Sequence, residues 1–368
     1  MKEASSKPAD RLFLLLLTIL VVFGLVMLAS ASSPVGYSRF GDTFYFIKKQ
    51  FLFGLLPGFL LFLILARFNY HLLQKLSGLI YLGSLVVLAL VFVPGVGLVL
   101  NGSRSWIQLF GMSLQPSEFA KLAVIIILAK LLSEDRDLRD WKNSLVPVLA
   151  MLSPAVLLIA AQPDVGTLSI LVVIIFSMLY LADTPKIYLA VLGLAGVVCF
   201  AGLLLVAPHR AQRITTFLHP ELDPKGVGYQ INQSFLAVGS GGIFGLGLGH
   251  SRQKFQYLPE VQADSIFAVI AEEMGLLVVV GLVGLIAFLG LRGLKIAKGA
   301  PDQFGHLLVA GIMIWFVWQS FLNISTTIGL LPLTGVPLPF ISHGGSAMLV
   351  MLAGFGIVAN VSKYSNLK

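Results

Sequence analysis

The stretch LFLLLLTILVVFGLVML, residues 12–28, decides the fold class because it is strongly apolar and carries no charge. A helix that spans a bilayer needs about 20 predominantly apolar residues. Lys2, Lys7 and Arg11 precede the stretch and the small segment 29–31 follows it, a pattern that a cleaved signal peptide also shows. The run is long for a signal peptide and the chain beyond it is equally apolar, so we predict a retained first transmembrane helix.

Similar runs recur to the end of the chain and predict an all-α polytopic membrane protein with about ten transmembrane helices. The composition agrees: 57% of the residues are hydrophobic and 11% are charged, whereas soluble proteins carry about 25% charged residues. The predicted spans are 12–33, 46–66, 75–94, 116–132, 144–161, 167–183, 186–207, 265–290, 304–328 and 344–361.

We expect one membrane domain over residues 1–368, with terminal tails 1–11 and 362–368 and a long loop, 208–264, between helices 7 and 8. Lys and Arg in the connections favour a cytoplasmic N-terminus by the positive-inside rule, which places both termini inside and the long loop outside. The net charge of +8 follows from this bias, and no basic run with interleaved aromatics indicates nucleic-acid binding. A single cysteine, Cys199, excludes a disulfide framework.

Ionisable residues in or beside the apolar spans are candidates for function, because a charge in a membrane helix costs a few kcal/mol on insertion scales. They are Glu118, Lys121, Asp164, Asp264, Glu272 and Glu273. Most lie near predicted outer helix ends, beside two outer segments that carry Arg104, Arg210, Arg213, Arg252 and Lys254. The pattern predicts that acids and bases converge on one side of the bilayer.

Simpler structural interpretations stay open for several of these residues. Glu118 and Lys121 stand three apart on one helix face, which suits a structural ion pair as well as a substrate groove. Asp164 suits the N-cap of the following helix, and Asp264 could be an N-cap as well. The glycine-rich segment 239–249 lacks the spacing of a phosphate-binding loop, and we interpret it as a bend at the membrane surface.

A set of motifs spread over nearly the whole chain resembles the SEDS family (shape, elongation, division and sporulation), in its FtsW/SpoVE branch rather than RodA. The motifs are NGSRSWI at 101–107, QPSE at 115–118, QPDVGT at 162–167, GYQ at 228–230 with QS at 233–234, SRQK at 251–254 with LPE at 258–260, GLLPLTG at 329–335 and PFISHGGS at 339–346. Together they are specific, although each alone would be weak.

The resemblance implies ten transmembrane helices and a peptidoglycan glycosyltransferase that polymerises lipid II at the outer face of the bacterial cytoplasmic membrane. It also implies a class B penicillin-binding protein, a transpeptidase, as partner, with other division or sporulation proteins. The family's essential aspartate falls on Asp264 and its essential tryptophan on Trp106. The chain departs from the usual family pattern at Ser265 and His343, where Phe and Tyr are typical, and in the more polar segment 323–329.

Polymerisation needs a base for the acceptor hydroxyl and cations for the departing diphosphate. We assign the base to Asp264. The candidates for holding the diphosphate are Arg104, Lys121, Arg210, Arg213 and Lys254. Further candidates for substrate contact are Trp106, Glu118, Gln230, Glu260 and Ser342. No cofactor is certain; Glu260 could bind Mg²⁺ or Mn²⁺ jointly with Asp264, although two carboxylates make a sparse ligand set.

Two other functions would use the same residues. A lipid II flippase would show broken helices and charges at the bilayer midplane, whereas the ionisable residues here cluster toward one face. A non-catalytic scaffold that recruits a transpeptidase would not need a carboxylate at Asp264. We therefore expect surface chemistry rather than passage or scaffolding alone.

Overall fold

The structure is a computed structural model that describes residues 8–100, 103–109, 112–134, 138–206, 215–224 and 226–366. Helices dominate it, and they are numbered here along the chain. They are α1 Arg11–Phe40, α2 Tyr45–Gln50, α3 Leu56–Arg67, α4 His71–Leu90, α5 Pro116–Ser133, α6 Val146–Ala161, α7 Val165–Leu181, α8 Lys186–Val206, α9 Val227–Ser240, α10 Ile266–Lys298, α11 Gln303–Thr327 and α12 Gly345–Ser362.

Each predicted span coincides with a helical segment. A π-helical turn at Phe51–Leu55 joins α2 to α3 into one continuous span, and a second such turn at Trp141–Leu145 precedes α6. Among the described residues, seven helical segments are long and apolar enough to cross a membrane. The helix α5 is not one of these seven, because its 18 residues include three charged ones, Glu118, Lys121 and Lys130. The polytopic helical membrane fold is thus confirmed.

Both ends of the described chain meet on one face of the bundle. Asp10 caps α1, pairs with Arg292 near the end of α10 and donates its backbone N–H to the hydroxyl of Ser362 at 3.0 Å. The N–H of Asn366 donates to the carbonyl of Gly299, just beyond α10, at 2.9 Å. The start of α10, two residues after Asp264, therefore lies at the other end of a helix 33 residues long.

A small antiparallel sheet departs from the all-helical prediction. Strands β1 (Gly97–Leu100), β2 (Ser103–Leu109) and β3 (Met112–Leu114) fill the connection before α5 in the order β1-β2-β3. The Ser103 hydroxyl donates to the carbonyl of Gln162 at 2.9 Å and so attaches the sheet to the turn between α6 and α7. A search for runs of about 20 apolar residues cannot detect strands this short.

The part of the glycine-rich segment that follows α9, residues 241–249, packs against a break in α10. Gly275 interrupts that helix with φ 72° and ψ 179°. Two amides after the break, at Leu276 and Leu277, donate to the carbonyls of Gly242 and Ile243. Two carbonyls before it, at Glu272 and Glu273, accept from the amides of Leu246 and Gly247 at 3.0 and 2.9 Å. Backbone groups in a membrane protein must find internal partners, and the predicted bend supplies them here.

Replacing Gly275 with alanine is expected to lower the free energy of unfolding by about 3 kcal/mol or more. The left-handed backbone alone costs a residue with a side chain about 1–3 kcal/mol, and a Cβ at Gly275 would overlap the amide nitrogen of Gly245. Thermal unfolding in detergent micelles measures the effect. Gly281→Ala is the matched control, because a Cβ at Gly281 in the same helix meets nothing within 4 Å. Equal shifts for the two variants would contradict this account of the break.

The connection Leu331–Gly344, here called the re-entrant loop, runs inside the bundle between α11 and α12. Its residues Leu338, Phe340 and Ile341 are almost fully buried. A Cβ on Gly24, in the middle of α1, would overlap the carbonyl oxygen of Phe340. A Cβ on Gly166, at the start of α7, would collide with Val336. Glycines at these helix positions let the loop approach α1 and α7 closely. The loop also contacts the chain segment that carries Asp264.

Candidate active site

Asp264 lies one residue before the N-cap of α10, and it is half-buried. Ser265, rather than Asp264, occupies the N-cap position of the helix, so the N-cap interpretation of the aspartate does not apply. The carboxylate faces Gly335 of the re-entrant loop: a Cβ at Gly335 would lie 4.0 Å from Asp264 Oδ2. The following residues, Ile266 to Ile270, are fully buried and anchor the helix start.

The re-entrant loop holds the backbone on both sides of this carboxylate. The Ser342 hydroxyl donates to the carbonyl of Ala263 at 2.5 Å and accepts from the N–H of Leu338 at 2.8 Å. The N–H of His343 donates to the carbonyl of Gln262 at 2.7 Å. Ser342 was predicted to contact substrate, but it is 4% exposed and its hydroxyl binds backbone groups of Ala263 and Leu338. The re-entrant loop therefore fixes the main chain next to Asp264.

His343, where the resemblance in sequence leads us to expect tyrosine, is neutral near pH 7. Burial and then the positive charge of Lys49 lower the pKa of His343 to about 4. Its ring meets Phe46 edge-on, with 5.1 Å between centroids. A neutral ring at this position adds no charge beside the main chain that carries Asp264.

Glu118 and Lys121 form a buried ion pair at the start of α5. Their Nζ–Oε1 distance is 2.7 Å, and the residues are 1% and 0% exposed. Lys121 also donates to Gln319 Oε1 at 2.8 Å and lies 4.9 Å from the Trp315 ring centroid. Both residues thus take the structural role that the spacing allowed. Lys121 is engaged by these partners instead of facing a diphosphate.

Lys254 is engaged in the same way at the break in α10. It is 2% exposed, and its Nζ lies 2.7 Å from Glu273 Oε1 and 3.0 Å from the hydroxyl of Ser30 in α1. The neighbouring carboxylate of Glu272 accepts the amide of Arg252 at 2.9 Å and the hydroxyl of Ser251. These charges connect the segment after the glycine-rich bend to α1 and α10.

Arg104 and Trp106 lie on β2 and are both half-buried. Trp106 sits opposite Leu98 of β1 in the sheet register. Arg104 Nη1 lies 3.5 Å from the carbonyl of Phe92, and in the described ranges its Nε is buried without a hydrogen-bond partner. Arg104 thus remains a candidate for binding an anion. The other two predicted cations, Arg210 and Arg213, lie outside the described residues.

Gln230 and Glu260 complete the set of predicted residues. Gln230 in α9 donates from Nε2 to the Ser265 hydroxyl at 3.0 Å, one residue from Asp264. Glu260 is exposed and accepts from Gln262 Nε2 at 2.9 Å. The described residues contain no group of three or more His, Cys, Asp or Glu side chains that could hold a metal ion.

Asp164 is the N-cap of α7, as the sequence suggested: its carboxylate accepts a hydrogen bond from the N–H of Thr167 at 3.0 Å.

Several residues that hold the site were not predicted. Gln319 and Asn323 are buried on α11, and Gln50 at the end of α2 accepts from the N–H of Gly344 at 2.9 Å. Ser30 binds both Glu273 and Lys254. The sequence signal for these residues is that they are uncharged polar side chains inside apolar spans, and a criterion based on ionisable groups does not include them.

Comparison with known proteins places this arrangement. A sequence profile of the FtsW/RodA/SpoVE family, described as "Cell cycle protein", matches residues 10–367. The chain belongs to this family. The FtsW/RodA/SpoVE chain is 43% identical to stage V sporulation protein E of Bacillus subtilis over 98% of its own length and 99% of that protein. It is 38% identical to a probable peptidoglycan glycosyltransferase FtsW of Geobacter sp. (strain M18), with 96% of each chain covered.

A solved structure gives the same placement in three dimensions. The family member superposes with a TM-score of 0.79, at 28% identity, on a chain from "Structural coordination of polymerization and crosslinking by a peptidoglycan synthase complex". The match covers 96% of this chain and 97% of the other. The FtsW/RodA/SpoVE assignment thus agrees in sequence and in fold, and the predicted family resemblance is confirmed.

Proposed function

We propose that this chain is a peptidoglycan glycosyltransferase that polymerises lipid II, with Asp264 as the general base. One observation carries the assignment of the residue: the half-buried carboxylate lies before the buried first turns of α10 and is not the helix cap, and the main chain around it is fixed by Asn323 of α11 and by the re-entrant loop. The membership in a family with named peptidoglycan glycosyltransferases supports the reaction.

The reaction is one inverting displacement. The 4-hydroxyl of the acceptor's terminal GlcNAc attacks the anomeric carbon of the donor, and the bond from that carbon to the lipid diphosphate breaks. The hydroxyl proton passes to the Asp264 carboxylate, and the α-linked donor yields a β-linkage. General-base catalysis of this kind typically contributes about 10² to 10⁴ in rate.

Arg104 is the cation that we place at the departing diphosphate, together with Arg210 and Arg213. Fixed cations stabilise charge as it develops on a leaving group. Lys121 and Lys254 support the site instead, since each already pairs with a buried carboxylate. We place the half-buried ring of Trp106, on β2, against a sugar of the substrate. A divalent cation near Glu260 and Asp264 is part of the proposal to be tested.

We place the Asp264 face outside the bacterial cytoplasmic membrane, with both termini in the cytoplasm. The positive-inside bias supports this orientation. The termini meet on one face, and α10 carries Asp264 toward the opposite one. We also propose a class B penicillin-binding protein as partner, because a similar chain occurs in a complex that couples polymerisation to crosslinking.

The test is polymerisation of lipid II by the purified chain, alone and with its cognate transpeptidase, in Mg²⁺, Mn²⁺ and EDTA. We expect glycan strands, resolved by gel electrophoresis. Loss of product in EDTA that Mg²⁺ or Mn²⁺ restores would establish the cation. The break in α10 beside Glu272 and Glu273 favours a flippase as second candidate. Absence of strands together with movement of labelled lipid II across vesicle membranes would replace the polymerase assignment with that one.

A further inference from the structure

Asn323 is a fully buried polar residue in the apolar helix α11, and it joins two parts of the site. Its Nδ2 donates one hydrogen bond to the carbonyl of Asp264 at 2.9 Å and another to the carbonyl of Val336 at 2.8 Å. Both amide hydrogens are therefore used. One of the two carbonyls precedes α10 and the other belongs to the re-entrant loop. This single side chain therefore connects Asp264 to the re-entrant loop.

A second residue of α11, Gln319, binds the carbonyl of Pro337, the residue after Val336 in the re-entrant loop. Gln319, one turn before Asn323, donates from Nε2 to the carbonyl of Pro337 at 3.0 Å. Its Oε1 accepts from Lys121 at 2.8 Å and from the Trp315 indole at 2.7 Å. A continuous series of polar contacts thus runs from the buried Glu118–Lys121 pair through α11 and the loop to the main chain of Asp264.

The turn of α11 around Asn323 is itself fastened. The hydroxyls of Thr326 and Thr327 both donate to the carbonyl of Asn323, at 2.9 and 2.8 Å. This accounts for part of the polar segment 323–329, in which the sequence is more polar than the family's usual pattern. These bonds satisfy the backbone carbonyl of Asn323, while the two bonds from Nδ2 set the orientation of its side-chain amide.

We propose that Asn323 is a positioning residue that sets the Asp264 carboxylate relative to the re-entrant loop. The inference rests on the proposed role of Asp264 as the base. The carbonyl that Asn323 holds is attached to the Cα of Asp264, so its direction sets where the side chain starts. An error of about 1 Å in the placement of a reacting group can cost about 10²-fold in rate.

Asn323→Ala tests the inference in the lipid II polymerisation assay. We expect kcat to fall about 10- to 100-fold, while KM stays within about 3-fold because no substrate contact is removed. Asn323→Ser keeps one donor in a smaller side chain, and we expect an intermediate kcat. If the alanine variant does not fold, the serine variant decides the question by the same split between kcat and KM.

Asn360→Ala is the matched control. Asn360 is a buried asparagine on α12 whose Nδ2 also donates to two carbonyls, those of Leu65 and Phe68. We expect it to lower the melting temperature about as much as Asn323→Ala and to leave kcat unchanged. An unchanged kcat in both Asn323 variants, a loss confined to KM, or an equal loss of kcat in Asn360→Ala would overturn the positioning role.

Failure of the inference is distinguishable from failure of the proposed function. Asp264→Asn is measured beside these variants. If it polymerises lipid II like the wild type, Asp264 is not the base and the proposed mechanism fails. If it is inactive while both Asn323 variants keep the wild-type kcat, only the positioning role is wrong.

Discussion

We expect Asp264→Asn to lower the rate of lipid II polymerisation about 10²- to 10⁴-fold, because a general base contributes this much to the rate. Asparagine keeps the size of the side chain but cannot accept the acceptor's proton. The fold is expected to survive, because Ser265 and not Asp264 occupies the N-cap of α10, and the hydrogen bond from Asn323 goes to the backbone carbonyl of Asp264, which the substitution keeps. The measurement is the initial rate of strand formation, with the melting temperature recorded for the same preparation.

Asp42→Asn serves as the control for loss of a carboxylate. Asp42 lies between α1 and α2 and pairs with Lys48 at 2.7 Å on the exposed surface. Such pairs contribute little to stability, so we expect wild-type polymerisation. A rate for Asp264→Asn that is close to wild type would exclude the base assignment. A large fall in its melting temperature would show that the residue acts on the fold.

Lys121→Met is expected to destabilise the protein by about 3–5 kcal/mol, or to prevent its accumulation in the membrane. The substitution removes the cation beside Glu118 and leaves a carboxylate that is 1% exposed without its partner. Loss of one member of a buried ion pair has an effect of this size. Gln319 and Trp315 also lose their contacts with the ammonium group. Thermal unfolding in detergent measures the change.

Two further variants separate the ion pair from the general cost of changing α5. Glu118→Gln combined with Lys121→Met removes both charges, and we expect it to recover most of the lost stability. Lys130→Met alters a half-buried lysine in the last turn of the same helix, where we expect a change below about 1 kcal/mol. If the double variant is no more stable than Lys121→Met, the unpaired carboxylate is not the cause.

The helices of this fold could be predicted from the sequence because each one needs a long apolar run to meet lipid. The predicted bounds 116–132 and 304–328 differ little from α5 and α11 as observed. The sheet β1-β2-β3 could not be found in this way, since its strands are only 3 to 7 residues long. The re-entrant loop was also beyond reach, because its path through the bundle depends on contacts with α1 and α7.

The candidate site divides along a similar line. Asp264 could be found because it is an acid beside an apolar helix and lies in a family motif. The pairing of Lys121 with Glu118 was open to prediction from their spacing of three residues. The pairing of Lys254 with Glu273 was not, because it depends on the break at Gly275 and the bend that fills it. Asn323 carries no charge, and its role became visible only when its two acceptor carbonyls were brought together.

The two buried ion pairs also differ in when they can form during synthesis. Glu118 and Lys121 lie within one helical turn, so their charges can neutralise each other as α5 leaves the translocon, where a lone charge in an apolar helix is unfavourable. Gln319, which completes that contact, is synthesised 198 residues later. Lys254 must wait for Glu273, 19 residues further on, and for the segment between them to fold back. We therefore expect α5 to insert with this pair already neutralised, and the second pair to close only when α10 has entered the membrane.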